Sequence, residues 1–189
     1  MKRVLVPLAA GFEEMEGMII IDLLRRAGVE VIVAGLEPGP IRASRGTTHV
    51  ADVLLSQVMN EEFDMIVLPG GAGGAERLGT DVVLGEMLRR QHARDGYIGA
   101  ICAAPNVLRK LKILGEGDRF TLHPATLQSS EGGTYVADER IVRAGKIITS
   151  IGPGSAFEFT LDLIAELCGP DQRDLVAAPL YLPPASVEK

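Results

Sequence analysis

Short apolar runs alternate with amphipathic stretches along the whole chain, and that alternation predicts the elements before any side-chain chemistry is considered. Residues 4–8 (Val-Leu-Val-Pro-Leu), 29–34, 65–68, 97–101 and 147–149 read as buried strands. Helical periodicity covers 15–27, closed by Gly28, and then 81–94, about 105–111 and 155–167. Strands alternating with helices imply crossover connections and a mostly parallel sheet covered on both faces. Residues 39–50 carry Gly, Pro and Thr without helical period and read as a β-hairpin excursion, while 115–136 is loop-rich with Gly132-Gly133 as a turn. The tail beyond Pro179, with Pro183-Pro184, reads as extended with a loose end. No repeat and no low-complexity linker divides the chain. The expectation is one three-layer α/β domain over residues 1–189.

Composition narrows the function classes. Two cysteines in 189 residues exclude a disulfide-stapled scaffold or a cysteine-rich zinc module. A net charge of −6 argues against a dedicated nucleic-acid surface. No uncharged run reaches the roughly 18 apolar residues that a membrane-spanning helix needs. Met1-Lys2-Arg3 before an apolar run imitates a leader, but Glu13, Glu14 and Glu16 follow at once, so a first strand is the better reading. A soluble cytoplasmic protein is expected.

Sites in open parallel sheets form beyond the carboxyl ends of the strands. Strand 4–8 exits into Ala9-Ala10-Gly11-Phe12-Glu13-Glu14-Met15-Glu16, strand 65–68 into Pro69-Gly70-Gly71, strand 97–101 into Cys102, and strand 147–149 towards Gly152-Pro153-Gly154. Cys102 has Gly99-Ala100 before it and Ala103-Ala104 after it, the small neighbours that a tight nucleophile elbow requires. The free N–H groups of a following helix would favour its thiolate. A small buried hydrophobe fits the same position equally well; for Cys168, beside Gly169-Pro170, that bland reading is the better one.

Glu16 shares a helical row with Ile20, Leu23 and Leu24, which aims its carboxyl at the core, either as a cap or kept protonated by burial. A protonated Glu16 beside Cys102 would donate to the thiolate, and the two would titrate as a coupled pair. Glu13 and Glu14 suit the first helical turn as favourable charges, with Glu14 expected at the surface alongside Met18 and Asp22. Gly70-Gly71 and the N–H of Ala103 could face a developing oxyanion. The glycines lack the spacing of a nucleotide cradle, and no cluster has metal-ligand spacing, so no cofactor is expected. His123, in the loop-rich segment, could approach the site; His92 reads as part of a solvated charged run and His49 as part of the hairpin.

Taken together, Gly11-Phe12-Glu13-Glu14-Met15-Glu16, Arg25-Arg26-Ala27-Gly28, Ser44-Arg45-Gly46, Leu68-Pro69-Gly70-Gly71, Ala100-Ile101-Cys102-Ala103-Ala104-Pro105, His123-Pro124, Gly152-Pro153-Gly154 and Ala178-Pro179-Leu180 resemble the ThiJ/PfpI superfamily. They look most like its DJ-one branch, the Parkinson-disease-associated deglycase and bacterial relatives, in family order over nearly the whole chain. The resemblance implies a flavodoxin-like sandwich and a homodimer. It makes Cys102 the nucleophile, Glu16 its protonated partner, His123 a nearby histidine, and Gly71 and Ala103 the backbone donors. Arg45 and Arg26 match basic residues near the pocket, one expected from the partner subunit, and Pro153 and Pro179 match pocket-lining positions. Ala51 stands where some relatives carry a cysteine. Ala103 replaces the histidine of the protease-like branch, and no His-x-Glu pair serves an amidotransferase triad.

Two function classes follow. One is a cofactor-free glyoxalase or deglycase acting on methylglyoxal, glyoxal or their early adducts with amines and thiols. The other is a redox-sensing or chaperone-like stress protein that works through oxidation of Cys102.

Overall fold

The computed structural model describes residues 1–128 and 132–183. In chain order the elements are β1 (Arg3–Leu8), α1 (Glu14–Arg26), β2 (Glu30–Gly35), β3 (Ile41–Arg42), β4 (Thr48–His49), β5 (Val53–Leu54), α2 (Leu55–Val58), β6 (Met65–Leu68) and α3 (Ala72–Leu78). There follow α4 (Val82–Ala93), β7 (Tyr97–Ile101), α5 (Pro105–Lys110), β8 (Arg119–Phe120), β9 (Thr134–Tyr135), β10 (Ile141–Ala144), β11 (Ile147–Ser150), α6 (Ala156–Cys168) and α7 (Pro170–Ala177). The main sheet runs β10-β11-β7-β6-β1-β2-β5, with every pair parallel except β10–β11.

Period-two side-chain alternation along apolar strands supplies two cores from one sheet. Val4, Val6 and Leu8 of β1 face Ile20, Leu23 and Leu24 of α1 and Phe159, Leu163 and Ile164 of α6. Leu5 points the other way, into the layer of Leu84, Met87 and Leu88 of α4 and Val107 and Leu108 of α5. The result is the expected three-layer, flavodoxin-like α/β sandwich. Strand order reverses between β1 and β6, the place where such sheets open a crevice at their carboxyl edge. The β-hairpin excursion is β3 paired antiparallel with β4.

The predicted strands and helices form within a residue or two of their expected bounds, and the differences have physical reasons. The glycine-rich exit of β6 turns into α3, because Ala72 to Leu78 repays its glycines with contacts of Ala75 and Leu78 to the core. Helices α2 and α7 and the strands β5, β8, β9 and β10 were not expected; each is short or carries few buried residues, so periodicity has little to act on. The charged run at 89–94 is not wholly solvated. Gln91 is buried, and its Nε2 donates to the carbonyls of Phe63 and Tyr97 at 3.1 Å. Ala178–Leu180 forms a 3-10 turn that takes in the first residue of the expected extended tail, and 184–189, the larger part of that tail, lie outside the described residues. Among the described residues no helix is long and apolar enough to cross a membrane.

Candidate active site

Three exits converge at the β1/β6 reversal. Cys102 follows β7 directly and adopts φ +63°, a left-handed conformation that costs a non-glycine residue about 1–3 kcal/mol. The bend is held from both sides, since the Cys102 N–H donates to Ser150 O at 2.9 Å and the His123 N–H donates to Cys102 O at 3.0 Å. The Gly71 and Ala103 N–H groups favour charge on the sulfur, and the Glu16 carboxyl opposes it. Cys102 thus sits at the elbow its small neighbours predicted.

Glu16 is fully buried on the row shared with Ile20, Leu23 and Leu24. As the third residue beyond the helix cap, its carboxyl could turn back to the cap's own N–H, as a capping box does. It turns instead to the β6 exit, where Oε2 accepts from the Gly70 N–H at 2.7 Å. The cap's N–H, that of Glu13, is taken by Gly70 O at 2.9 Å. Glu16 Oε1 is buried without a hydrogen-bond partner among the described residues. An ionised carboxylate would leave that oxygen costly; a protonated one carries a donor there.

The pair cannot ionise independently. Burial pushes the Glu16 carboxyl up to about 7. Burial and then the Glu16 charge push the Cys102 thiol up to about 12, against the pull of the Gly71 and Ala103 N–H groups. The N–H groups pull the thiol towards its anion as expected, and burial, which the sequence does not show, works against them. One negative charge is shared by two acids, and it can rest on sulfur only while Glu16 keeps its proton.

Glycine is required where these loops interlock. A Cβ on Gly70 would lie 2.6 Å from both Cys102 Cβ and Glu16 Oε2. Gly71 has φ +86°, and a Cβ there would meet Gly11 O at 2.4 Å and Glu13 N at 2.6 Å. The Gly74 N–H donates to Gly11 O at 3.1 Å, completing the clasp between the first and second exits.

Glu14 overturns its expected exposure. The β3–β4 hairpin folds over it, so that its carboxylate accepts from the Arg45 N–H at 3.0 Å, Ser44 Oγ at 3.0 Å and Thr47 Oγ1 at 3.1 Å. Burial opposes its charge, yet those bonds and one from its own N–H hold it down at about 2. The helical wheel missed this because the covering hairpin arrives some 30 residues later.

The remaining expected site residues divide. His123 is exposed at the rim, with Nδ1 accepting from the Ala125 N–H at 3.3 Å and its ring beside Gly152, next to Pro153. Arg45 meets Glu14 through its backbone, and its side chain is exposed. Arg26 lies at the far end of α1, on the order of 15 Å from Glu16 at 1.5 Å per residue, paired with Asp22 at 2.6 Å. Within this chain it does not join the site. Pro179 is exposed on its 3-10 turn, beyond the helix whose Gln172 Nε2 donates to Ala27 O at that same far end of α1. A groove of about 1490 Å³, not foreseen from sequence, opens beside Ala103 between Ala72, Gly73, Asn106 and Ala125. Among the described residues no three His, Cys, Asp or Glu side chains are grouped to hold a metal ion.

A flavodoxin-like α/β sheet with a cysteine on a strained strand-to-helix elbow and a buried carboxyl against it defines the class. The DJ-1/PfpI family model matches residues 2–166, and the chain belongs to that family. It is 44% identical over 183 residues to protein dj-1beta of Drosophila melanogaster, covering 96% of this chain and 97% of that one. The crystal structure of that protein superposes with a TM-score of 0.92, covering 96% and 98% of the two chains. The glutathione-independent glyoxalase DJR-1.2 of Caenorhabditis elegans is 40% identical over 171 residues, 90% of each chain. Toxoplasma gondii DJ-1, in a structure described as oxidized, is 41% identical with a TM-score of 0.88, covering 95% and 98%.

Two outcomes follow from this geometry. Gly70→Ala forces Cys102 and Glu16 apart and should destabilise the fold by about 1–3 kcal/mol in urea titrations; unchanged stability would mean the gap has room to spare. Glu14 ionises well below its ordinary 4.5, so its charge stabilises the fold above that pH and ceases to as pH falls through about 2. Glu14→Gln should therefore be less stable than wild type at pH 7, with the difference closing between pH 4.5 and 2 in stepped denaturation. A difference that stays constant over that range would assign the effect to shape, not charge.

Proposed function

We propose that this protein is a cofactor-independent glyoxalase and deglycase, acting on methylglyoxal, glyoxal or their early adducts through Cys102 and Glu16. The observation that carries the reading is the buried Glu16 carboxyl, held by the Gly70 N–H at 2.7 Å against the elbow of Cys102. The relative named as a glutathione-independent glyoxalase supports the same class of reaction.

The Cys102 thiolate adds to the aldehyde carbon, and the proton held by Glu16 passes to the aldehyde oxygen, giving a hemithioacetal. The Gly71 and Ala103 N–H groups, released from the sulfur's charge, turn to that oxygen as it becomes anionic. Glu16, now a carboxylate, takes the carbon-bound proton and returns it to the adjacent carbon. His123 relays the hydroxyl proton from the first oxygen to the second. The product is the thioester of a hydroxy acid, which water hydrolyses to lactate when the substrate is methylglyoxal, restoring the dyad with its single proton. Pro153 lines the rim beside His123, and Arg45 offers an exposed cation nearby.

A homodimer completes this reading. Met15 at the head of α1 and Val50 after the hairpin are exposed apolar residues on segments stitched together by the Gly11 N–H to Arg42 O bond. A second copy seated there would bring its own Arg26 or Pro179 towards a site that one chain leaves without them.

The same thiol supports a second reading, a redox-sensing or chaperone-like stress protein, favoured by the Toxoplasma gondii relative in its oxidized form. Sulfinic acid formation on Cys102 would place an acceptor oxygen against the proton of Glu16.

Purified protein should convert methylglyoxal to lactate without glutathione. Cys102→Ala should abolish turnover, and Glu16→Gln should lower it by about 10²–10⁴-fold while Cys102 still alkylates, because proton transfer and not the nucleophile is removed. Undiminished turnover in Cys102→Ala ends the glyoxalase reading. For the redox reading, mild peroxide should add two oxygens to Cys102 by intact mass, and a cysteine that stays reduced argues against it.

A further inference from the structure

We infer that Ser155 is a positioning residue for the site: its hydroxyl, paired with that of Ser150, pins the exit of β11 on which both the Cys102 elbow and the His123 ring rest. This depends on the reading of Cys102 as nucleophile, and it adds what keeps the strained bend in place. A left-handed non-glycine residue relaxes unless the surrounding chain holds it, so whatever fixes its hydrogen-bond partners belongs to the site.

β11 ends in Thr149 and Ser150, both fully buried, although a strand covered on two faces ordinarily carries apolar side chains. Ser155, at the N-terminus of α6, is buried as well. A serine in that place normally caps the helix by accepting from an N–H of the first turn, but Ser155 makes no such bond. Its Oγ instead lies 2.6 Å from Ser150 Oγ, accepts from the Gly152 N–H at 3.2 Å and stands 2.8 Å from Gly152 O. Ser150 Oγ reaches Arg140 O at 3.1 Å. These groups are all satisfied when the protons run one way, from the Gly152 N–H to Ser155, from Ser155 to Ser150, and from Ser150 to Arg140 O.

The segment held by this pair touches the site at two points. Ser150 O accepts the Cys102 N–H at 2.9 Å, just beyond the last paired residues of β7 and β11. Gly152 packs so closely on His123 that a Cβ there would lie 3.3 Å from the ring's Cδ2. The neighbouring Thr149 takes the Thr121 N–H on its hydroxyl at 3.0 Å, two positions ahead of His123, and the His123 N–H returns to Cys102 O at 3.0 Å. A shift of the β11 exit is therefore felt by the elbow and by the histidine together. Without the Ser155 hydroxyl, Ser150 Oγ and the Gly152 N–H lose a partner in a buried place, and that cost drives such a shift.

The test is native-state amide hydrogen exchange, resolved by NMR, beside methylglyoxal turnover in wild type, Ser155→Ala, Ser150→Ala and Ser155→Thr. In Ser155→Ala the Cys102 and His123 amides should exchange about tenfold faster while those of β7 keep their rates. In the same variant kcat should fall about 10–10²-fold with KM within twofold, because the reacting groups and not the binding surface are displaced. Ser155→Thr keeps the hydroxyl and should return both readouts towards wild type. Cys102 and His123 amides at wild-type rates overturn the inference. So does acceleration spread evenly over β7 and α6, which would leave Ser155 a packing residue, and so does a loosened elbow with kcat unchanged. If Ser155→Ala does not fold, Ser150→Ala is read by the same criteria, since it removes the same hydroxyl contact and leaves the carbonyl that Cys102 uses. Exchange needs neither a thiolate nor a dicarbonyl. A wild type that leaves methylglyoxal unchanged therefore ends the proposed reaction, and the two amides alone then decide the role of Ser155.

Discussion

Two acids, Cys102 and Glu16, are packed together at the floor of the site, Glu16 fully buried and Cys102 nearly so. Removing both protons would put two like charges in contact at low dielectric, which burial forbids. The surrounding polypeptide is therefore arranged around one negative charge and one proton. The Gly71 and Ala103 N–H groups favour charge on the sulfur, the Gly70 N–H binds one carboxyl oxygen, and the other oxygen is left for a proton.

That constraint explains the backbone of the rim. Donors can converge on one sulfur only if three loops approach at main-chain distance, and Gly11, Gly70, Gly71 and Gly74 permit it. The strain at Cys102 is held by bonds from β11 and from the His123 segment, so parts of the chain distant in sequence carry the cost of the elbow. The hairpin adds a further layer. By burying Glu14 and engaging Glu13 it ties the head of α1 to a fixed position, and with it the carboxyl that faces the thiol.

The site was legible in the sequence where a local rule implied a tertiary fact. Glu16 at the head of an apolar row had to point inward, and it does. Cys102 between small residues at a strand exit had to occupy a tight bend, and it does. The reading broke down where local rules had no access. Glu14 obeys the helical wheel and is nevertheless buried, because a segment folded over it from elsewhere. Gln91 looked like one more polar residue in a charged run until three backbone carbonyls around it were assembled. The opposing influences on Cys102 divide in the same way: a helix N-terminus can be seen in sequence, whereas the burial that works against it cannot.

By itself, then, the sequence determined the alternating architecture, the sheet edge at which chemistry sits, and the identity of the nucleophile and acid candidates. Each of these depends on interactions within a few residues or on the period of apolar positions. The tertiary structure alone decided which state the candidates occupy. It brought Gly70 against Glu16 and the hairpin against Glu14, and it set the burial of the thiol and the distant place of Arg26 in the chain. The physical reason is that proton affinities depend on desolvation and on donors contributed by remote segments, and both exist only after the chain has closed on itself.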